Sequence, residues 1–245
     1  SKKRVIIFVH GIDNDYMSSL KNYNKAKTYM NINTKQDEII NFYWDGLVNE
    51  SLFGAAKVWI SATTNSQMAG VFGLRRILNV MKNKDIYLIS HSRGASVVLS
   101  ALTNPSLKNS EIKRAENAHH VVFTNAPLLA ENNNKIFCIM LAPAIGKMDF
   151  LTDDDELKHF SPQLKKMHIT INNSDYVLGK GRIGFLSKNL IPSNFGYNEK
   201  LYNELLLSYP FLEKTDFTGM KSHDFRQYIT NPKFVDILKK FHLAK

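Results

Sequence analysis

DIYLISHSRGASVVLSAL, residues 85–102, joins two different periodicities in one short stretch. Ile86-Tyr87-Leu88-Ile89 is a continuous apolar run, the pattern of a strand buried on both faces. Ala95–Leu102 is small and apolar without alternation, which predicts a helix. Between them stands Ser90-His91-Ser92-Arg93-Gly94. A strand that turns straight into a helix brings two backbones almost into contact, so the outer positions of that turn must be small; Ser90 and Gly94 are. For Ser92 the plainest reading is a helix N-cap. Choosing between that and a chemical role depends on the rest of the chain.

Outward from this stretch, the same alternation recurs. Arg4–Val9, Ile39–Tyr43, Ile86–Ile89 and Lys135–Leu141 read as buried strands, Met167–Ile171 as a further one, and Val121–Phe123 as a short candidate. Leu20–Tyr29, Phe53–Met81, Ala95–Leu102, Glu199–Leu207 and Phe234–Leu243 read as helices, the last with Pro232 near its first turn. Strands alternating with helices predict βαβ units: an α/β chain forming a three-layer α/β/α sandwich around a mainly parallel sheet. Right-handed crossovers then set all strand C-termini on one edge, where sites in such folds are built. No internal repeat or linker breaks the pattern, so a single domain over residues 1–245 is expected. Gly179–Tyr197 is glycine-rich and loop-like.

Composition is that of a globular protein: 245 residues, 44% hydrophobic and 22% charged. No apolar run is long enough to cross a bilayer as a helix. The formal charge of +10 comes from scattered lysines without a basic block, which favours a solvated basic surface over a polyanion site. No nucleic-acid partner is expected, and contact with an anionic membrane surface stays open. The opening Ser1-Lys2-Lys3-Arg4 carries no signal peptide and fits equally the cut edge of a longer chain. The single cysteine, Cys138, cannot form an internal disulfide and leans toward a reducing compartment; export is not excluded.

Ser90–Gly94 has the form of a nucleophile elbow, Gly-x-Ser-x-Gly at a strand-to-helix turn, with serine replacing the first glycine. A second motif lies upstream: Val5-Ile6-Ile7-Phe8-Val9-His10-Gly11-Ile12, an apolar strand ending in His-Gly. With both motifs placed, the chain resembles the α/β-hydrolase superfamily over most of its length, and specifically its esterase- and lipase-like serine hydrolases. That resemblance implies Ser92 as nucleophile, backbone N–H groups of Ile12 and Arg93 as an oxyanion hole, and a structural role for His10. It also implies the chain order nucleophile, acid, histidine. Asp175 follows the Met167–Ile171 strand after a polar turn and is the favoured acid; Asp149, Asp153, Asp154 and Asp155, after the preceding strand, are the competitors. Of the eight histidines, only His223 and His242 lie downstream of Asp175. His223, in a polar loop entering an aromatic helix, is favoured as the base. The long Asp175-to-His223 spacing implies an insertion around residues 180–212.

The implied activity is hydrolysis of a carboxylic ester, with an acyl lipid or thioester also open, through a Ser-His-Asp triad and an acyl-enzyme. No cofactor and no metal are expected. The alternative is a non-catalytic binding module of the same fold. Phe53–Met81, with Trp59, Ile60, Met68, Val71, Phe72 and Leu74, fits a core helix better than a mobile lid. Neither the acyl-chain length nor the oligomeric state is fixed by the sequence.

Overall fold

The computed structural model describes residues 3–12, 15–46, 55–104, 109, 112–113, 116–117, 122, 127–152, 154–180 and 194–245. Its main sheet has six strands, all parallel: β1 (Arg4–Val9), β2 (Asp37–Phe42), β3 (Asp85–His91), β5 (Lys135–Leu141), β7 (Leu164–Ile171) and β8 (Leu212–Asp216), in the order β2-β1-β3-β5-β7-β8. Two short segments, β4 (Thr103–Asn104) and β6 (His159–Phe160), pair antiparallel apart from it.

The apolar runs are continuous because both faces of the sheet are covered. Val5, Ile7, Ile86, Leu88, Cys138, Met140 and Ile169 point into one core, and Ile6, Phe8, Ile89, Ile139 and Leu141 into the other. The first core is closed by α3 (Arg75–Val80), α4 (Gly94–Leu102) and α7 (Glu199–Leu206), with α2 (Ala55–Met68) packed against α4. The second is closed by α1 (Tyr16–Lys27), α8 (Phe225–Thr230) and α9 (Pro232–Lys240). Each large aliphatic side chain so buried contributes roughly 1.5–3 kcal/mol. The expected three-layer sandwich is therefore present.

Phe53–Met81 is helical from Ala55 to Val80, with hydrogen bonding that widens to π-helical over Ala69–Leu74. A Cβ on Gly70 would stand 2.4 Å from the Val97 carbonyl, so this glycine lets the segment lie directly on α4. Met68, Val71, Leu74 and Leu78 are buried, as a core helix requires; the side chains of Trp59 and Ile60 lie outside the described residues. Arg75 donates to the carbonyls of Ser100, Ala101 and Thr103, satisfying the C-terminal end of α4.

Three further regions are the candidate strand Val121–Phe123, an edge strand that the sequence did not announce, and the segment around residues 180–212. Val121 and Phe123 lie outside the described residues, and Val122 between them is exposed and outside any strand. The edge strand β8, Leu-Glu-Lys-Thr-Asp, has no apolar run to announce it, as suits an edge that must resist pairing with another chain. The segment around residues 180–212 holds α6 (Asn194–Tyr197) and α7 in its described part, while residues 181–193 lie outside it. The preceding α5 (Tyr176–Lys180) begins directly after Asp175.

Candidate active site

The C-terminal ends of β1, β3, β5 and β7 stand side by side in register, with Val9 opposite Ser90 and Ser90 opposite Met140. Ser92 lies just past β3 with φ of +52°, in the left-handed region that a non-glycine residue enters only when its surroundings force it. Those surroundings are well defined. Its N–H donates to the Leu141 carbonyl at 3.0 Å, and its own carbonyl accepts from Ala95 and Ala144, each at 3.1 Å. A Cβ on Gly11 would fall 2.7 Å from the Ser92 Cβ, and one on Gly94 would fall 2.5 Å from the His10 carbonyl. Both glycines are thus sterically required for β1 to pass under the turn.

His223 enters from the loop between β8 and α8 and reaches two of the residues singled out by sequence. Its Nδ1 is 2.7 Å from Asp175 Oδ2 and its Nε2 is 2.8 Å from Ser92 Oγ. A carboxylate can only accept, so Nδ1 carries the proton and Nε2 offers its lone pair to the serine hydroxyl. Ser92, His223 and Asp175 therefore form one hydrogen-bonded row.

Asp175 is buried and fully partnered. Its Oδ1 accepts from the N–H groups of Val177 and Leu178 at 2.9 and 3.1 Å, at the start of α5. Its Oδ2 accepts from His223 and from the Tyr228 hydroxyl at 3.0 Å. Asn172 donates through Nδ2 to the Tyr228 oxygen at 3.0 Å and to the Met220 carbonyl at 2.7 Å. Burial, reinforced by the Asp175 charge, raises the Tyr228 pKa, so the phenol keeps its proton and remains a donor.

The competing acids stand elsewhere. Asp149 is buried against Arg93, with Oδ1 2.7 Å from Nη2 and Oδ2 3.2 Å from Nη1, and it also accepts from the Gly146 N–H. Asp154 and Asp155 are exposed, and Asp153 lies outside the described residues. His242 follows the last helix, where its carbonyl accepts from Arg4 at the opposite, N-terminal end of β1. His10 uses both ring nitrogens locally: Nδ1 donates to the Gly11 carbonyl at 2.7 Å and Nε2 accepts from the Trp44 N–H at 3.1 Å. Burial lowers its pKa, so it is a neutral structural link between β1 and the loop after β2.

Of the two backbone groups expected to face the oxyanion, Arg93 follows Ser92 as the residue capping α4, and Ile12 follows Gly11 at the end of β1. The side chain of Arg93 is fully buried in its pair with Asp149, so only its backbone is available beside the serine. Ser90 is fully buried, on the face of β3 shared with Ile86 and Leu88, and its hydroxyl has no hydrogen-bond partner.

Three residues at the site were not singled out from sequence: His91, Asn172 and Tyr228. His91 could have been suspected as a large polar side chain inside the tightest turn, and Asn172 from its place in the polar turn before Asp175. Nothing in the sequence distinguishes Tyr228 from an ordinary core aromatic. Among the described residues there is no cluster of three or more His, Cys, Asp or Glu placed to hold a metal ion, and no helix among them is long and apolar enough to cross a membrane.

Comparison with solved structures shows the same fold at low identity. An uncharacterized protein from Bacillus cereus matches over 98% of this chain at 11% identity with a TM-score of 0.51. This chain spans only 59% of the length of that protein. The esterase Est2 of Thermogutta terrifontis, with propionate bound, matches 98% of this chain and 83% of its own, at 13% identity and a TM-score of 0.50. No protein among those with curated descriptions matches. The family model described as "Alpha/beta hydrolase of unknown function (DUF900)" matches residues 1–225. The chain belongs to that α/β-hydrolase family.

Proposed function

We propose that the chain is a serine hydrolase that cleaves a carboxylic ester through an acyl-enzyme, with Ser92 as nucleophile, His223 as general base and acid, and Asp175 as its orienting carboxylate. The observation that carries the reading is the row Asp175–His223–Ser92, whose hydrogen bonds leave the His223 lone pair on the serine side.

Serine is a weak nucleophile until a neighbouring base takes its proton in the transition state. As Ser92 Oγ bonds to the ester carbonyl carbon, its proton passes to His223 Nε2 and the carbonyl electrons move onto oxygen. The backbone N–H groups of Ile12 and Arg93 stabilise that oxyanion. Collapse expels the alkoxide, which takes the proton from Nε2 and leaves as the alcohol. Water then repeats the sequence on the acyl-enzyme, returning the proton to Ser92 and releasing the carboxylic acid. Through both halves the buried Asp175 holds the imidazole tautomer and offsets the charge of the imidazolium.

The test is turnover of p-nitrophenyl esters from acetate to palmitate by wild-type protein and by Ser92→Ala. The reading expects hydrolysis with a burst of p-nitrophenol equal to the number of sites, abolished in the variant. The chain length giving the highest kcat/KM then identifies the acyl group. Folded wild-type protein that turns over none of these esters would favour the non-catalytic binding module.

A further inference from the structure

We propose that His91 is a positioning residue for His223: by holding the His223 carbonyl, it fixes where the His223 imidazole stands relative to Ser92. The proposal rests on the serine-hydrolase reading above and extends it to a residue that does not touch the reacting atoms.

The contact is direct. His91 Nε2 lies 2.8 Å from the His223 carbonyl oxygen. A carbonyl can only accept, so Nε2 carries the proton and donates. His223 belongs to the loop between β8 and α8, outside the sheet ladder. The side-chain bonds of His223 to Ser92 and Asp175 include the one along which the reacting proton moves. The Asp175 bond persists while that proton is in transit, but it holds the ring and not the backbone that carries it. The bond from His91 involves no reacting proton and persists throughout.

The donor also sits where it can serve as a reference. His91 immediately precedes Ser92 and ends β3, a central strand paired on both sides, so nucleophile and anchor share one rigid segment. The distance between base and nucleophile is then set within the last residue of β3, the residue directly after it and a single hydrogen bond.

Packing alone does not dictate the ring's orientation. The His91 ring meets the His223 ring at 5.1 Å and Phe225 edge-on at 5.3 Å. On another side it borders a water-sized cavity shared with His10, Ser19 and Tyr23. Tyr228 borders the ring at 6.3 Å, and of these neighbours only the His223 carbonyl distinguishes which ring nitrogen faces it. Burial and the nearby His223 keep the His91 imidazole neutral, so it serves as a fixed donor and not as a second proton carrier.

The test uses two amides that place their NH₂ groups differently. In Gln the terminal nitrogen overlays the Nε2 position of histidine, whereas in Asn it overlays Nδ1 and cannot reach the His223 carbonyl. For wild type, His91→Gln and His91→Asn, kcat and KM for p-nitrophenyl butyrate are measured beside the first-order rate of labelling by a fluorophosphonate. The labelling rate constant reports positioning, and the final labelled fraction reports folded protein, so partial unfolding does not obscure the result. His91→Asn should lose roughly 10- to 100-fold in kcat and in labelling rate with KM little changed, the scale expected for a displaced catalytic group. His91→Gln should stay within about threefold of wild type, the cost of a slightly displaced donor being small on that scale. An Asn variant that labels as fast as wild type would overturn the proposal and leave the hydrolase reading standing. Equal losses in Gln and Asn would also overturn it, since they mark packing and not the donor. Folded wild type that neither labels nor turns over would overturn both readings together.

Discussion

Asp149 and Asp175 are both buried and each lies 2.7 Å from a basic nitrogen, yet they are placed for different work. Asp149 meets the guanidinium of Arg93, a partner that cannot give up its proton at neutral pH. Asp175 meets the imidazole of His223, a partner that can. Both carboxylates are almost fully buried, and both accept additional backbone N–H bonds. Burial and geometry therefore do not distinguish the two; the chemistry of the partner does, and under the proposed function it makes Asp149 a structural acid and Asp175 the orienting one. Asp149–Arg93 locks the loop after β5 onto the start of α4, whereas Asp175–His223 aims a lone pair at a serine.

The comparison breaks if the two aspartates respond alike to substitution. Asp175→Asn should lower esterase turnover on the order of 10³- to 10⁴-fold with the fold retained, as loss of the orienting acid does in a triad. Asp149→Ala should instead lower stability by about 3–5 kcal/mol, because it strands a buried guanidinium. Urea midpoints and turnover, measured on both variants, decide. Near-wild-type activity in Asp175→Asn would remove the acid role from this residue.

A fully buried histidine away from the row sharpens the contrast between neutral and charged buried bases. His168 is held by Glu213 and Thr215, with Lys166 and Lys240 also facing it, and burial, only partly offset by Glu213, pushes its pKa down to about 4. The unfolded chain, with an ordinary imidazole near pH 6.5, binds the proton first. Stability is then fully present above about pH 6.5 and is lost as pH falls toward 4, by about 2 kcal/mol at pH 5. His91, whose pKa is also depressed, adds to the same trend. Urea midpoints at pH 7.5 and pH 5 should show the fall, and His168→Gln should reduce it. A pH-independent midpoint would contradict it.

How much of this was legible in the sequence differs along the chain. The β3–α4 stretch could be read because its signals are local: an apolar run, a turn needing small residues, and a helix follow one another within Asp85–Leu102. Asp175 and His223 could be ordered only through a family resemblance, since no local pattern distinguishes their loops. β8 was missed because Glu213, Lys214 and Thr215 do not alternate in hydrophobicity. The Tyr228–Asp175 and His91–His223 contacts join residues 53 and 132 positions apart, a relation that only the folded chain displays.

Smaller changes probe the same row from its flanks. Tyr228→Phe removes one of the four hydrogen bonds to Asp175 while keeping the ring, and should cost about 1–2 kcal/mol of transition-state stabilisation, roughly 5- to 30-fold in kcat/KM. Loss of less than twofold would mean that the phenol only fills space. At Ser90 the expected effect is smallest. Its hydroxyl is buried without a partner, so Ser90→Gly should leave activity intact and the melting temperature nearly unchanged, whereas Ser90→Val should cost about 1–3 kcal/mol by overpacking. A tolerated valine would show that the contact with α4 is looser than this account requires.

The central claim is that Ser92 is the nucleophile, and peptide mapping after fluorophosphonate labelling tests it most directly. The account predicts a single phosphonylated residue, Ser92, in wild-type protein, with labelling abolished in Ser92→Ala and greatly slowed in His223→Ala. Folded wild-type protein that takes no label, or a label mapped to Ser90 or to any residue other than Ser92, would contradict it.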